Sequence, residues 1–445
     1  MKKIAVRILN FLLISTAVNY PVILSGLPIA PKIAAALLLG TYFFVFNIMP
    51  TFEKYPSLRL RALGDGAELI LFFFMTCIVS VPFVVVSIAE LVNGEDDYGK
   101  YIVQLFVLVI AEAIIFWNGI IRVYLTSVQL GIKLRVLGIV FGMILPVNLV
   151  MLMIIYITAH GECKFECEKI RLNESRKSDR ICETKYPILL VHGVFFRDSR
   201  LLNYWGRVPA ELEKNGAVVY YGEQQSALSV EDSSKELANR IKEIASKTGC
   251  GKLNIIAHSK GGLDSRYAIS KLGCDKYVAS LTTVNTPHKG CIFAEYLLKT
   301  SPEKLKKFIE SAYNGTFRAL GDRSPDFMSA VKNLTAGFCE EFNKEVIDSP
   351  EVMYQSIGSK AKNRRSGRFP LNVSYPVVKK YDGDNDGLVA LEATEWGEKW
   401  IRLYPTGHRG ITHADVIDLN RKNIKGFDVR EFYVQLVADL KKRGL

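Results

Sequence analysis

The chain lacks any stretch in which basic residues interleave with aromatics, although Lys and Arg outnumber Asp and Glu enough to give a net charge of +12. Without such a stripe nucleic-acid binding is a poor use of the charge. Attraction to anionic lipid headgroups suits it better. Internal repeats and low-complexity tracts are also missing, so the fold is not read as a solenoid or a disordered scaffold. Histidine is scarce, six in 445 residues. None of them, and no fourth cysteine, stands downstream at ligand spacing from the C-x3-C pair Cys163 and Cys167, which disfavours zinc there.

Apolar residues are plentiful, 49% of the chain, and the excess lies before residue 160. Five runs, about 4–22, 33–49, 69–88, 102–121 and 136–158, each approach the roughly 20 residues that cross a bilayer as a helix. They predict a membrane domain over 1–159. Under simple alternation Lys2, Lys3, Arg7, Lys54, Arg59, Arg61, Arg122, Lys133 and Arg135 share one side, while Lys32 and Lys100 fall on the other beside Glu95, Asp96 and Asp97. The positive-inside rule then makes the N-terminus cytoplasmic and, after five crossings, places everything past His160 outside the cytoplasmic membrane. Glu112, alone among the spans in being acidic at mid-depth, is expected to face the bundle interior and be hydrogen-bonded.

Residues 160–185 show neither helical nor strand periodicity and read as a connector. Outside the cell Cys163, Cys167 and Cys182 would tend to pair, with Cys250, Cys274, Cys291 and Cys339 making an odd total. Cys77 lies within a span and reads as a packed thiol.

From Tyr186 short β-rich runs alternate with helical patterns, which predicts a mostly parallel sheet wound by crossovers. Strands are expected at Ile188–His192, Val218–Tyr221, Leu253–Ala257, Val278–Val284 and Val352–Ser356, with the edge supplied by Tyr375–Val378 or Trp400–Tyr404. Helices are expected near Tyr204–Asn215, Ser233–Lys247 and Gly262–Leu272. Between the later strands 300–342 is a long helical insertion with Phe308, Ala312, Phe317 and Leu320 set among charges.

The third strand runs into A-H-S-K-G, in which Ser259 is flanked two positions either side by Ala257 and Gly261. A strand turning sharply into a helix at a serine between small residues is the signature of a nucleophile elbow. Alone, that pattern is common by chance. Together with P-I-L-L-V-H-G at Pro187–Gly193, A-H-S-K-G-G-L-D-S-R-Y at Ala257–Tyr267, T-T-V-N-T-P-H-K-G at Thr282–Gly290, N-D-G-L-V at Asn385–Val389 and T-H-A-D at Thr412–Asp415, it resembles the secreted bacterial triacylglycerol lipases from Tyr186 onward. The first 159 residues have no part in that resemblance.

The resemblance implies an α/β-hydrolase domain over 186–445 with a Ser-His-Asp triad and a helical lid at about 300–342. Ser259 would attack an ester carbonyl once a base takes its proton. His413 is the expected base, late in the chain, with His408 as competitor; His192, His258 and His288 read as structural. The acid orienting the imidazole should come from Asp382, Asp384 and Asp386, and the resemblance selects Asp386. Backbone N–H groups of Val194 and Lys260 would form the oxyanion hole. Lys260 stands where Gln or Met is usual, and its ammonium is expected to point to solvent.

No cofactor is needed for this chemistry, but such lipases carry a structural calcium. Asp415, two residues after His413, fits one ligand position. The other acid should precede the catalytic Asp, yet Val352–Tyr381 has no Asp or Glu, leaving Asp418 as a substitute. An EF-hand reading of D-G-D-N-D-G fails because its twelfth position, counted from Asp382, is Ala393.

The expected activity is hydrolysis of lipid carboxylic esters by an enzyme held at the bilayer. A phospholipase, a lysophospholipase or a lipid acyltransferase would use the same residues, and a membrane scaffold with an inactive hydrolase-like module is the alternative from another class.

Overall fold

The computed structural model describes residues 2–93, 99–194, 203–300, 302–304, 307, 311, 314, 325–404, 407 and 409–445. The chain divides into two compact units, Met1–Glu174 and Ser175–Leu445. The boundary falls inside the expected connector.

The first unit is helical: α1 Lys2–Val18, α2 Tyr20–Ile23, α3 Ile29–Ile48, α4 Leu58–Asn93, α5 Gly99–Thr126, α6 Gly131–Phe141 and α7 Val147–Ser175. Three of these among the described residues, α3, α4 and α5, are long and apolar enough to cross a membrane, in place of the five expected. The first run forms the 17-residue α1, too short to count by itself, and continues it through the single turn α2. The fifth is divided, an 11-residue α6 being followed by a break at Gly142–Pro146. Proline supplies no N–H and disfavours helix in the residue before it, which weakens the ladder at Pro146.

Helix α7 then runs on to Ser175, so most of the segment expected to be an irregular connector is helical. Cys163 and Cys167 sit one turn apart on its buried stripe, packed in a cluster with Leu60, Leu63 and Ala67. All eight cysteines are free thiols. The expected disulfides are therefore absent, because helix and sheet packing holds these sulfurs in apolar surroundings. Glu95, Asp96 and Asp97 lie outside the described residues. Glu112 is buried and accepts a hydrogen bond from Thr76 Oγ1 at 3.0 Å. Gly66 and Gly119 allow α4 and α5 to touch: a Cβ built on either would lie 3.0–3.2 Å from the other's carbonyl oxygen. Small residues at such crossings let helix backbones approach.

The second unit contains a six-stranded sheet in the order β2-β1-β3-β4-β5-β6, and every pairing is parallel. The strands are β1 Ile188–Val191, β2 Val219–Tyr221, β3 Leu253–His258, β4 Val278–Val284, β5 Met353–Ser359 and β6 Lys399–Leu403. The helices are α8 Val208–Lys214, α9 Val230–Thr248, α10 Lys260–Lys271, α11 Ile292–Thr300, α12 Phe327–Lys332, α13 Ala336–Glu345, α14 Leu371–Asp382 and α15 Val429–Lys442. Of the two expected edges the Trp400 run forms β6, whereas Tyr375–Val378 lies within α14.

Strands β1, β3 and β4 are buried along their whole length. Burial on both faces favours the unbroken apolar run of β1, I-L-L-V, while the buried polar residues of β3 and β4 bond one another, Ser280 Oγ donating to Asn254 Oδ1 at 2.6 Å. One face carries Trp205, Leu212, Tyr433 and Leu436, the other Leu237, Ile241 and Ile269. Helix α9 begins at Ser229, whose side chain accepts from the Asp232 N–H, and ends at Gly249 with φ 62°. That is the Ser start and left-handed glycine stop favoured at helix ends. Within the expected lid, α12 and α13 are described. Phe308, Ala312, Phe317 and Leu320 lie outside the described residues.

Candidate active site

The turn from β3 to α10 places Ser259 at the sheet's carboxyl edge with φ 54° and ψ −132°. A non-glycine residue with positive φ is strained and persists only where its surroundings hold it. Here they do: the Ser259 N–H donates to Val284 O at 2.9 Å, and its carbonyl accepts from Thr286 Oγ1 at 2.7 Å and Gly262 N at 3.1 Å. Glycine is obligatory on the helix side. A Cβ on Gly261 would meet His192 O at 2.4 Å, and one on Gly262 would meet Thr286 Oγ1 at 2.2 Å. Gly193 lies against the serine itself, its notional Cβ 2.7 Å from Ser259 Cβ. Val194 follows it, buried in an apolar cluster with Ala227, Phe327 and Ala330.

Asp386 and His413 come together. His413 Nδ1 is 2.6 Å from Asp386 Oδ2, and the His413 N–H donates to Asp386 O at 3.0 Å. A carboxylate only accepts, so the ring proton sits on Nδ1 and the lone pair is left on Nε2. Asp386 is fully buried. Its Oδ2 also accepts from Asn285 Nδ2 at 2.7 Å, and its Oδ1 from the Leu388 and Val389 N–H groups at 2.9 and 2.8 Å. Four donors around one carboxylate offset the cost of taking it out of water.

The His413 ring packs on the His258 ring with centroids 4.3 Å apart. His258 immediately precedes Ser259, so imidazole, carboxylate and elbow share one neighbourhood. Burial, and then the proximity of His413, holds His258 well below the usual imidazole range. It is neutral. Its Nδ1 accepts from the Tyr204 hydroxyl at 2.6 Å, and that hydroxyl accepts from the Gly193 N–H at 3.2 Å. One phenol thus ties the strand β1 turn to the elbow. Asn285 and Tyr204 were not singled out by sequence reasoning. Asn285 stood inside the T-T-V-N-T-P string and carries φ 46°, which asparagine tolerates better than most residues.

Lys260 is buried instead of solvent-facing. Its Nζ donates to Asp264 Oδ1 and Ser233 Oγ, both at 2.8 Å. Helix α9 closes over it, so the side chain has no path to water. His192 and His288 are buried in hydrogen bonds, the latter to Thr283 Oγ1 at 2.9 Å. His408 lies outside the described residues.

Asp415 does not stand open to a cation. Arg409 Nη2 donates to its Oδ1 at 3.0 Å, and Thr412 Oγ1 to its Oδ2 at 2.7 Å. Asp418 is gripped by Arg207 through Nε and Nη2 at 2.7 and 2.8 Å. No group of three or more His, Cys, Asp or Glu suited to a metal occurs among the described residues. Asp384 pairs with Lys360 and Lys379, which hold its carboxyl down at about 2. Asp382 accepts from the Ile292 and Phe293 N–H groups at 2.8 and 2.9 Å.

A parallel sheet with helices on both faces and a strained serine elbow at its carboxyl edge define an α/β-hydrolase domain. No family model matches the chain. The chain is 32% identical over 179 residues to a triacylglycerol lipase of Pseudarthrobacter phenanthrenivorans, covering 38% of this chain and 56% of that protein. A Burkholderia plantarii triacylglycerol lipase matches at 32% over 179 residues, 38% and 49% of the two chains. Triacylglycerol lipase 2 of Saccharomyces cerevisiae matches at 28% over 263 residues, 55% and 74%. The chain therefore spans about half the length of the two bacterial relatives. Among solved structures, mature Bacillus licheniformis lipase BlEst2 aligns at TM-score 0.42 and 23% identity, over 57% of this chain and 92% of that one. A segment of this chain is thus homologous to triacylglycerol lipases.

Proposed function

We propose that the chain is a membrane-anchored serine hydrolase that cleaves carboxylic esters of lipids through an acyl-enzyme. The observation that carries this reading is the Asp386–His413 bond set beside a serine held at φ 54°. In the proposed reaction His413 Nε2 takes the Ser259 hydroxyl proton as the oxygen attacks the ester carbonyl. The developing oxyanion is met by the Val194 and Lys260 N–H groups, each worth about 2.7–4 kcal/mol. His413 then passes the proton to the leaving alcohol, and water, activated by the same imidazole, releases the fatty acid. Asp386 holds the ring's tautomer throughout.

The substrate preference for triacylglycerol over other lipid esters rests on the relatives, and the lid over 300–342 belongs to the same proposal. In its favour, α12 places Phe327 and Ala330 in one apolar cluster with the oxyanion residue Val194. Calcium has no part in it, because arginines neutralise both candidate carboxylates, Asp415 and Asp418.

A fluorophosphonate probe tests the reading. Wild-type protein should be labelled and Ser259→Ala should not, with kcat for ester hydrolysis falling about 10⁶-fold. His413→Ala should be similarly inactive, whereas His408→Ala should retain most of the rate. A folded wild-type chain that takes no label would instead be a scaffold with an inactive module.

A further inference from the structure

The buried polar contacts of the first unit define the direction of each helix. Arg7 pairs with Glu68 at 2.7 and 2.8 Å, and Asn19 Nδ2 donates to Ser80 at 2.9 Å, both pairs 61 residues apart. Helices α1 and α4 therefore run parallel in constant register. Tyr42 reaches Asn10 at 2.7 Å, and Pro50, just past α3, lines one cleft with Ile4 and Arg7, so α3 runs antiparallel to α1. Thr76 against Glu112, with Gly66 against Gly119, makes α5 antiparallel to α4. The end of α3 meets the end of α5, where Arg122 Nη2 donates to Asn47 O at 2.9 Å.

The N-terminus, the α3–α4 turn and the end of α5 thus lie on one face. Helix α7 returns to that face. Glu162 accepts from Arg59 Nη1 at 2.8 Å, Ser127 Oγ at 2.6 Å and the Gln129 N–H at 3.0 Å, and Cys163 Sγ reaches Leu60 O at 3.5 Å. Farther along, Arg171 lines a cleft of about 420 Å³ with Ile4, Arg7, Glu53 and Lys54. Helix α6 starts from the same face, since Arg135 Nη2 donates to Ser127 O at 2.6 Å. Its 11 residues rise about 16 Å, half of a hydrocarbon core near 30 Å thick. A Cβ on its Gly138 would touch both Tyr124 and Ile155, so α6 and the first turns of α7 lean together as a hairpin.

We infer that the first unit crosses the bilayer four times, through α1, α3, α4 and α5, that α6–α7 form a re-entrant hairpin, and that the chain enters its catalytic unit on the cytoplasmic side. The face on which α7 ends carries Arg7, Lys54, Arg59, Arg61, Arg122, Lys133 and Arg135, against Lys32 and Lys100 at the other. Basic residues in short loops mark the cytoplasmic face. An even number of crossings replaces the odd number expected, and the extracytoplasmic placement is reversed with it. Seven free cysteines beyond His160 agree with a reducing compartment. Given the esterase reading, on which this last step rests, the substrate is an ester lipid of the cytoplasmic leaflet.

Membrane-impermeant maleimide labelling of the full chain, with Cys77 and Cys250 changed to Ser, tests the topology. Lys177→Cys and Lys54→Cys should label only in inverted vesicles, and Ser25→Cys only in intact cells. Labelling of Lys177→Cys in intact cells would overturn the inference. Should that thiol react from neither side, fusions at Leu445 decide: a fluorescent GFP with inactive alkaline phosphatase supports cytoplasmic placement, and the reverse refutes it. Neither readout uses catalysis. A wrong topology therefore leaves fluorophosphonate labelling intact, and a failed hydrolase reading leaves the labelling pattern intact.

Discussion

Asp386 gathers four hydrogen bonds with no exposure to water, so its value to the site is the direction it imposes on His413. An amide in its place would present donors where the site already has donors, and would favour the wrong imidazole tautomer. Asp386→Asn should keep the fold and lower kcat about 10⁴-fold, read from ester hydrolysis alongside circular dichroism; near-normal turnover would remove Asp386 from the mechanism. Tyr204 acts more quietly. Its hydroxyl satisfies both the Gly193 N–H and His258 Nδ1, and loss of it leaves buried polar groups unpaired. Tyr204→Phe should cost about 1–3 kcal/mol of stability, measured by thermal unfolding in detergent; an unchanged midpoint would mean that water replaces the phenol.

At the scale of the element, α10 carries an ion pair one turn deep. Burial pushes the Asp264 carboxyl up to about 6 from its ordinary 3.8, with Lys260 pulling the other way. A folded-state pKa above the unfolded one means that this group's stabilising contribution is full below about 3.8 and is lost as pH rises through about 6. Replacing both partners by apolar residues, Lys260→Met with Asp264→Leu, should leave the protein as stable as before or up to about 4 kcal/mol more stable at neutral pH. It should also flatten the decline between pH 4 and 6. Activity should survive, because the oxyanion donor proposed at position 260 is main chain. A double variant that melts lower at pH 7 would show that the pair is worth more than its desolvation cost.

The loop around His413 makes a matching point about charge. Arg409 on Asp415 and Arg207 on Asp418 do by guanidinium what a divalent cation would do, and the bonds at 2.7–3.0 Å leave those oxygens engaged. A chelator should therefore leave the initial rate unchanged; a loss restored by added calcium would sink this account. Arg409→Ala, by contrast, should strip Asp415 of its countercharge and lower activity through the displaced loop.

For the molecule as a whole, α3, α4 and α5 expose Leu38, Ile78 and Phe106 respectively on faces that soluble packing would cover. The protein should stay in the membrane pellet after alkaline carbonate extraction, and release into the supernatant would contradict a spanning role for these helices. The strings of the candidate site are legible because each is short and local: an elbow needs small residues at fixed offsets, and N-D-G-L-V needs glycine at 387, where φ is 108°. Strand positions are legible for the same reason, since short apolar or β-branched runs bounded by turn residues, such as I-L-L-V in β1 and V-A-S-L-T-T-V in β4, are local patterns. The pattern of edge β6 does not distinguish it from Tyr375–Val378, because an edge strand buries only part of its surface.

What the amino-acid string alone determined was composition-bound: an apolar helical third, an α/β remainder, and a serine, an acid and a histidine in hydrolase order. Hydrophobic periodicity and turn chemistry are local, so they survive the loss of all three-dimensional information. Only the tertiary structure decided that Lys260 turns inward, that arginines hold Asp415 and Asp418, that the cysteines stay unpaired, and that α7 comes back to the face where the chain began. Those outcomes depend on which distant side chains meet, on contacts such as Arg59 with Glu162 across 103 residues, and no count of apolar runs carries that parity.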